Sequence, residues 1–350
     1  MSEGYVVAVV GAGAVGVEMI RVLHERGFPL KELRILARSD REMEIDGRTY
    51  PVRATTPEAF DGVDIALFAG TEGDKGAAVT FGEEAVKRGA VVIDNGSDFR
   101  MDPNVPLVVP EVNGEDVEWH RGIIANPNCS TIQMVHALKP IHDLSPVRRI
   151  VVSTYQSVSG GGAPAMRELE AQLKAVAQGE PLPPCQNIPT QLAGNVLAGC
   201  WRFRDNGYQD EEWKMVVETH KMLHDDTIRI TPTAVRVPVT IGHAESLYVE
   251  TERKVTADEA REALAAFPNL RVVDEPAPSE KDPHARSYPT PLDAAGAAET
   301  LVGRIREDPF VENGLLMWVV ADNLRKGAAQ NAVQIAEELV RRNCLRRRAG

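Results

Sequence analysis

Short runs of β-branched and aliphatic residues recur through the first third of the chain, at Tyr5–Val10, Leu33–Ala37, Ile65–Phe68, Val91–Ile93 and Ile123–Ala125. Segments with helical spacing separate them, as at Val15–Glu25 and Gly82–Arg88. That alternation predicts βαβ units on a parallel, doubly wound sheet. After Cys129 the pattern changes to a helix from about Thr131 to His142 and a strand over Ile150–Thr154. Helices and longer alternating strands follow, the strands between Ile228 and Thr251. The second part therefore reads as a mixed α+β domain. Four prolines between Pro181 and Pro189 bar a helix there, and Asp274–Pro291 reads as a second loop. A strand over Leu315–Val320 leads into a last helix, about Leu324–Arg342, expected to pack back on the first domain.

Composition narrows the class. With 43% hydrophobic and 26% charged residues over 350 positions, the chain is a folded protein of about two domains. Its formal net charge of −12 argues against nucleic acid or an anionic membrane as partner. No apolar run nears the ~18 residues of a membrane span, and Met1–Gly4 passes straight into a strand, so a cytoplasmic, unprocessed protein is expected. Cys129, Cys185, Cys200 and Cys344 have no metal or disulfide spacing, and the last three are expected to be small buried apolar residues. The arginines at 341, 342, 346, 347 and 348 read as cations at a helix C-terminus rather than as a basic tail.

One turn carries a ligand signal. Val6–Val10 runs into Gly11-Ala12-Gly13-Ala14-Val15-Gly16 and then an amphipathic helix, which is the strand-before, helix-after setting of a dinucleotide-binding GxGxxG. Gly11 permits the tight turn, Gly13 lets backbone approach a pyrophosphate, and Gly16 allows close helix–sheet packing. Ala14 and Val15 supply the first N–H groups of the helix. The second strand then ends in Arg38-Ser39 instead of the acid that would hold a ribose 2′-OH. A guanidinium and a hydroxyl suit a 2′-phosphate, so NADP is favoured, with Asp40 as the alternative ribose partner. Residues 1–129 are thus expected to form a Rossmann-type domain, 130–322 the second domain, and 323–350 the returning helix.

The candidate chemistry begins at Asn126-Pro127-Asn128-Cys129-Ser130-Thr131, just before the apolar helix. A cysteine at a helix start has its thiol pKa lowered by the dipole and is a candidate nucleophile. This stretch, with Ser153-Thr154-Tyr155-Gln156-Ser157-Val158-Ser159-Gly160, resembles the aspartate-β-semialdehyde dehydrogenase family. Arg236 in Val235–Val239, His243-Ala244-Glu245-Ser246 and Trp318–Ala329 continue the resemblance over nearly the whole chain. It implies NADPH-dependent reductive dephosphorylation of L-aspartyl-4-phosphate to the semialdehyde, on the route to lysine, threonine and methionine. It also implies a homodimer formed through the second domain.

By that resemblance Cys129 is the nucleophile, His243 the acid/base and Gln156 the group orienting the thioacyl. Arg236 would clamp the substrate carboxylate, Glu211 its ammonium, and Arg100, Lys214 and Asn128 would serve the phosphate and substrate. Ser159, Gly160 and Asn323 would join the cofactor site. Arg236 and His243 are seven residues apart, about 23 Å if extended, so both reach one site only if the chain turns near Thr240-Ile241-Gly242. From spacing alone Glu211, Lys214 and Glu218 read equally as an exposed salt-bridge face. His220 and His224 share a helix face but lack a third ligand, so no metal is expected. Two acids, Glu72 and Asp74, depart from the small-residue loop usual in the family near the cofactor. N-acetyl-γ-glutamyl-phosphate reductase and glyceraldehyde-3-phosphate dehydrogenase share the thioester chemistry, but Ser130 follows the cysteine where the former usually has an aromatic. A silent NADP-binding sensor would be expected to lack Cys129 or His243.

Overall fold

The computed structural model describes residues 4–70, 76–274 and 287–345. It comprises two compact units, Met1–Asn128 with Ala328–Gly350, and Cys129–Gly327. The loop acids Glu72 and Asp74, most of the Asp274–Pro291 loop and the arginines at 346–348 lie outside the described residues.

The first unit holds seven strands, β1 (Tyr5–Val10), β2 (Leu30–Ala37), β3 (Arg41–Ile45), β4 (Arg48–Ala54), β5 (Ile65–Phe68), β6 (Val91–Asp94) and β7 (Ile123–Ala125). Their order is β3-β4-β2-β1-β5-β6-β7, parallel except for β3 against β4. Helices α1 (Ala14–Glu25), α2 (Ala77–Lys87) and the single turn α3 (Pro110–Asn113) connect them. Alternation along β1 explains the double winding. Val7 and Val9 face Met19, Ile20 and Leu23 of α1, whereas Val6, Ala8 and Val10 join Ala78 and Ala85 of α2 on the other face. Strand order reverses at β1, the switch point where such sheets bind ligands. The β3–β4 hairpin was not among the expected strands; its turn, Asp46-Gly47, has both φ angles positive (50° and 77°), as a two-residue hairpin requires.

The second unit is built on a six-stranded sheet of β8 (Val147–Gln156), β9 (Arg229–Arg236), β10 (His243–Thr251), β11 (Leu270–Val272), β12 (Thr300–Glu307) and β13 (Gly314–Ala321), ordered β11-β12-β13-β10-β8-β9. Its helices are α4 (Cys129–Leu144), α5 (Gly162–Gln178), α6 (Asp210–Leu223), α7 (Ala257–Ala266) and the turn α8 (Pro291–Ala294). Met134, Leu138 and Ile141 of α4, Met215 of α6 and Leu264 of α7 close the core against Val152, Leu247 and Val319 of the sheet. The proline-rich stretch is irregular, as expected, and side chains of α5 hold its second half and the residues after it. Glu168 accepts from the backbone of Gln186, Asn187 and Ile188, and Gln172 from that of Leu192 and Ala193.

The last expected helix is two elements. A π-helical turn spans Arg325–Ala329, and only then does α9 (Gln330–Arg341) begin, burying Val333, Ile335 and Leu339 in the core of the first unit. The chain leaves the second unit after Gly327, five residues beyond the expected 322, because Asp322 and Asn323 are bonded into it. Asp322 accepts from Gly296, Leu324 and Arg325, and Asn323 from Gly242. Arg341 and Arg342 pair with Glu338 in the last turn of α9. No helix among the described residues is long and apolar enough to cross a membrane.

Candidate active site

In the first unit the glycines behave as three different devices. Gly11 has φ +109°. A methyl at Gly16 would lie 1.8 Å from the Gly11 carbonyl oxygen, so only glycine lets α1 pass that close. Gly13, the N-cap of α1, faces open space, and a methyl there would meet nothing within 4 Å. A backbone bare at the helix N-terminus, with Ala14 and Val15 opening the first turn, fits a pyrophosphate. Beyond β2, Arg38 and Ser39 are exposed. Asp40 is committed elsewhere: its carboxylate accepts the Ala54 N–H at 2.7 Å and pairs with Arg53. Those contacts engage part of its carboxylate, and Arg38-Ser39 stand next to it at the strand end.

The segment before the cysteine is fixed in the same unit. Arg100, 5% exposed, donates through Nε to the Asn126 carbonyl (2.9 Å) and through Nη2 to that of Asn95 (3.0 Å). Asn126 bonds Asn95 and accepts from Asn331 of α9 at 2.7 Å. Asn128 is buried. Sequence reasoning missed Asn95 and Asn331, whose partners are distant in the chain.

In the second unit Cys129 opens α4, two residues ahead of the expected helix start, and is half-buried. The close approach of Gly327 confines it: a methyl at Gly327 would lie 2.9 Å from the Cys129 Cβ and 3.5 Å from the Asn323 Cβ. The π turn thus brings cysteine and Asn323 to one point.

Strand register gathers the rest. Gln156 pairs with Arg236 at the C-terminal ends of parallel β8 and β9, and antiparallel β10 starts at His243, so all three stand at one end of the sheet. The expected turn between Arg236 and His243 is present, with Gly242 at φ +94°. Glu245 lies opposite Thr154, placing Thr154, Gln156, Arg236, His243 and Glu245 on one face.

His243 is fully buried. The Ser157 backbone N–H donates to Nδ1 at 3.0 Å, so Nδ1 is an acceptor and the neutral ring carries its proton on Nε2. The Ser157 hydroxyl, also 3.0 Å from Nδ1, donates to Asn323 Oδ1, which accepts from Ser159 and the Gly242 N–H as well, each at 3.0 Å. Nε2 has no partner among the described residues. Burial, then the neighbouring Arg236 guanidinium, holds the imidazole well below its ordinary 6.5. The ring is therefore neutral at pH 7, and its buried Nε2 is unpaired among the described residues, unlike that of a structural histidine satisfied at both nitrogens.

Around it, Arg236 (9% exposed) donates from Nη1 to the Ser157 carbonyl at 2.6 Å, and its Cζ lies 4.7 Å from the Trp201 ring centroid. Gly160 leaves room for both: a methyl there would sit 3.2 Å from Nη1 and 3.5 Å from His243 Nε2. Gln156 donates to Glu211 at 2.9 Å and accepts from Thr154 at 3.1 Å. Lys214 approaches Glu211 at 3.8 Å. The exposed-face reading of α6 fails, because Glu211 is 4% and Glu218 1% exposed.

Two further polar groups lie under this face. Glu245 is fully buried and makes no well-formed hydrogen bond among the described residues; burial pushes its carboxyl well above the ordinary 4.5, against a weaker opposing effect of Gln133. Gln133, one turn after Cys129, is its neighbour. Glu245 was legible as the residue two along a strand from His243; Trp201 had no local signal. His220 spends Nε2 on the Ile228 carbonyl, and His224 is the left-handed C-cap of α6. The expectation of three buried cysteines is corrected: Cys185 is exposed, and Cys200 and Cys344 are half-buried. Cys200 stands beside Arg236, and burial pushes its thiol up.

Comparison with known proteins gives the family. The family model "Semialdehyde dehydrogenase, NAD binding domain" matches residues 6–120, and "Semialdehyde dehydrogenase, dimerisation domain" matches 138–326. Aspartate-semialdehyde dehydrogenase of Aquifex aeolicus is 51% identical over 97% of this chain and 98% of that protein; that of Bacillus subtilis is 44% identical over 98% and 99%. The crystal structure of aspartate semialdehyde dehydrogenase II from Vibrio cholerae, complexed with ASA, superposes with a TM-score of 0.90 at 44% identity, covering 97% of this chain and 99% of that one. With a nucleotide-binding unit and a cysteine–histidine unit both matched along their length, the chain belongs to the aspartate-semialdehyde dehydrogenase family.

Proposed function

We propose that the protein converts L-aspartyl-4-phosphate, with NADPH, into L-aspartate 4-semialdehyde and phosphate through a thioester on Cys129. The observation that carries this reading is the pairing, within one unit, of a cysteine at a helix N-terminus with a buried imidazole whose only unspent group is the Nε2–H.

The α4 N-terminus favours the thiolate, which attacks the acyl phosphate and expels phosphate. The imidazole is poorly suited to take the thiol proton, since Nδ1 is occupied and Nε2 already bears hydrogen. Its task is at the oxygen: Nε2–H donates to the carbonyl oxygen of the thioester as negative charge grows there. Ser157 and Asn323 hold the ring in that tautomer. Bound NADPH supplies the hydride. Arg236 pairs with the substrate carboxylate, Glu211 with the ammonium, and Arg100 and Lys214 with phosphate. Gln156, fixed between Thr154 and Glu211, orients the acyl group. Arg38 and Ser39 select the 2′-phosphate, while Ser159, Gly160 and Asn323 border the nicotinamide. The protein acts as a homodimer in the cytoplasm, in amino-acid biosynthesis.

The test is phosphate-dependent NADP reduction with aspartate semialdehyde beside N-acetylglutamate semialdehyde. Turnover of the first alone is expected; turnover of the second alone would overturn the substrate assignment.

A further inference from the structure

Arg236 is held by more than its own strand. Its main chain exchanges two hydrogen bonds with Leu197, at 2.8 and 2.9 Å, so the segment from Leu197 runs beside the end of β9. Four residues on, that segment places the Trp201 indole over the guanidinium, with Cζ 4.7 Å from the ring centroid. The segment is fastened by Gln209, the N-cap of α6. Its side chain accepts the Trp201 N–H at 3.1 Å and donates to the Ala198 carbonyl at 2.8 Å. Glu212, which closes the capping box with Gln209, also accepts the N–H of Ala234, two residues before Arg236. Trp201 is therefore part of a braced wall.

A guanidinium presents its five N–H groups in one plane. Nη1 is spent on the Ser157 carbonyl, and Cζ sits over the Trp201 ring, within cation–π range of its centroid. The Cys200 thiol, a weak acceptor, lies against the guanidinium, and among the described residues no oxygen accepts from Nε or Nη2. The in-plane Nε–Nη2 edge therefore meets no oxygen, and it has the geometry that takes a carboxylate through two parallel bonds.

We propose that Trp201 is a positioning residue for substrate carboxylate recognition, its indole fixing the plane of Arg236 so that this edge is presented before substrate arrives. The proposal rests on the reading of Arg236 as the carboxylate clamp. A side chain already held in its binding geometry loses less freedom on binding, and the held cation is itself attracted to the ring face. Removing the ring therefore weakens carboxylate binding and leaves the other subsites alone.

The experiment is steady-state kinetics of the full-length enzyme in the phosphorolytic direction, with Trp201→Leu, Trp201→Phe and Arg236→Lys. Trp201→Leu should raise KM for aspartate semialdehyde roughly three- to thirty-fold, with KM for phosphate and for NADP unchanged. Trp201→Phe, which keeps an aromatic face and the packing, should fall between it and wild type. With 3-aminopropanal, which lacks the carboxylate, wild type and Trp201→Leu should perform alike. If Trp201→Leu does not fold, an intermediate KM in Trp201→Phe supports the proposal and a wild-type KM overturns it. Parallel losses for all three substrates, or a loss that persists with 3-aminopropanal, would show a merely structural role. An impaired Arg236→Lys beside an unimpaired Trp201→Leu removes the proposal alone. A wild-type KM in Arg236→Lys removes the clamp reading and the proposal together.

Discussion

The sites proposed in the two units are built by opposite means. The first is made of backbone: Gly11, Gly13 and Gly16 lie within six residues, and what matters about each is the side chain it lacks. The second is made of side chains, which come from α4, β8, β9, β10, α6 and Asn323 just before the π turn, more than 190 positions apart. A backbone site tolerates no added atom at one position and ignores it at another, whereas a side-chain site fails gradually as each hydrogen bond is lost. Perturbing the two units separately exposes that difference.

The largest effect is expected at Gly16. A methyl 1.8 Å from the Gly11 oxygen forces the turn apart, so Gly16→Ala should cost about 3 kcal/mol or more in stability and abolish measurable NADP binding. Gly13→Ala, with nothing near its methyl, should keep the wild-type urea midpoint and lose cofactor affinity only. Titration of NADPH fluorescence together with urea unfolding checks both; equal behaviour of the two variants would break the distinction.

Next comes His243. His243→Ala should lower kcat by roughly 10²–10⁴-fold, because the donor to the reacting oxygen is lost while the helix-start thiolate remains. Since the folded imidazole titrates well below 6.5, the wild-type kcat/KM profile should show no His243 limb near 6.5. An acid limb at 6.5 that disappears in His243→Ala would contradict the neutral, Nε2-protonated ring.

A smaller effect falls in the first unit. Arg38→Ala should weaken NADP about tenfold and leave NAD unchanged, as expected for one charge-assisted contact. Equal loss for both cofactors would remove the 2′-phosphate role.

The smallest is at Glu245. Its folded pKa is raised, so the fold keeps the proton while the unfolded chain loses it above about 4.5; stability is present below that pH and declines as pH rises. Glu245→Gln should flatten this decline, gaining about 1 kcal/mol over wild type per pH unit in that window, read from urea midpoints at pH 5 and pH 7. A constant difference between the two pH values would show that the carboxyl is ionised or compensated.

The same contrast governs what was legible in the sequence. Contiguous signals survived: the glycine turn between β1 and α1, Cys129 at a helix start, and the Gly242 turn that carries the chain from Arg236 to His243. Local signals passed over were still present, as in the Asp46-Gly47 hairpin. Helix faces were the weak point. The spacing of Glu211, Lys214 and Glu218 defines a face of α6, but which face is buried depends on what packs against it, and here it is the sheet. The π turn at Arg325–Ala329 reads as helix from periodicity alone, since the tight approach of Gly327 to Cys129 is a long-range contact. Trp201 and Asn331 were invisible for the same reason.

The central claim is that Cys129 carries the acyl group. Mass spectrometry of the enzyme after incubation with semialdehyde and NADP in the absence of phosphate tests it most directly. The account predicts an aspartyl adduct on the peptide containing Cys129, absent from Cys129→Ser, which should still bind NADP but scarcely turn over. An adduct on Cys185, Cys200 or Cys344, or full activity in Cys129→Ser, would contradict it.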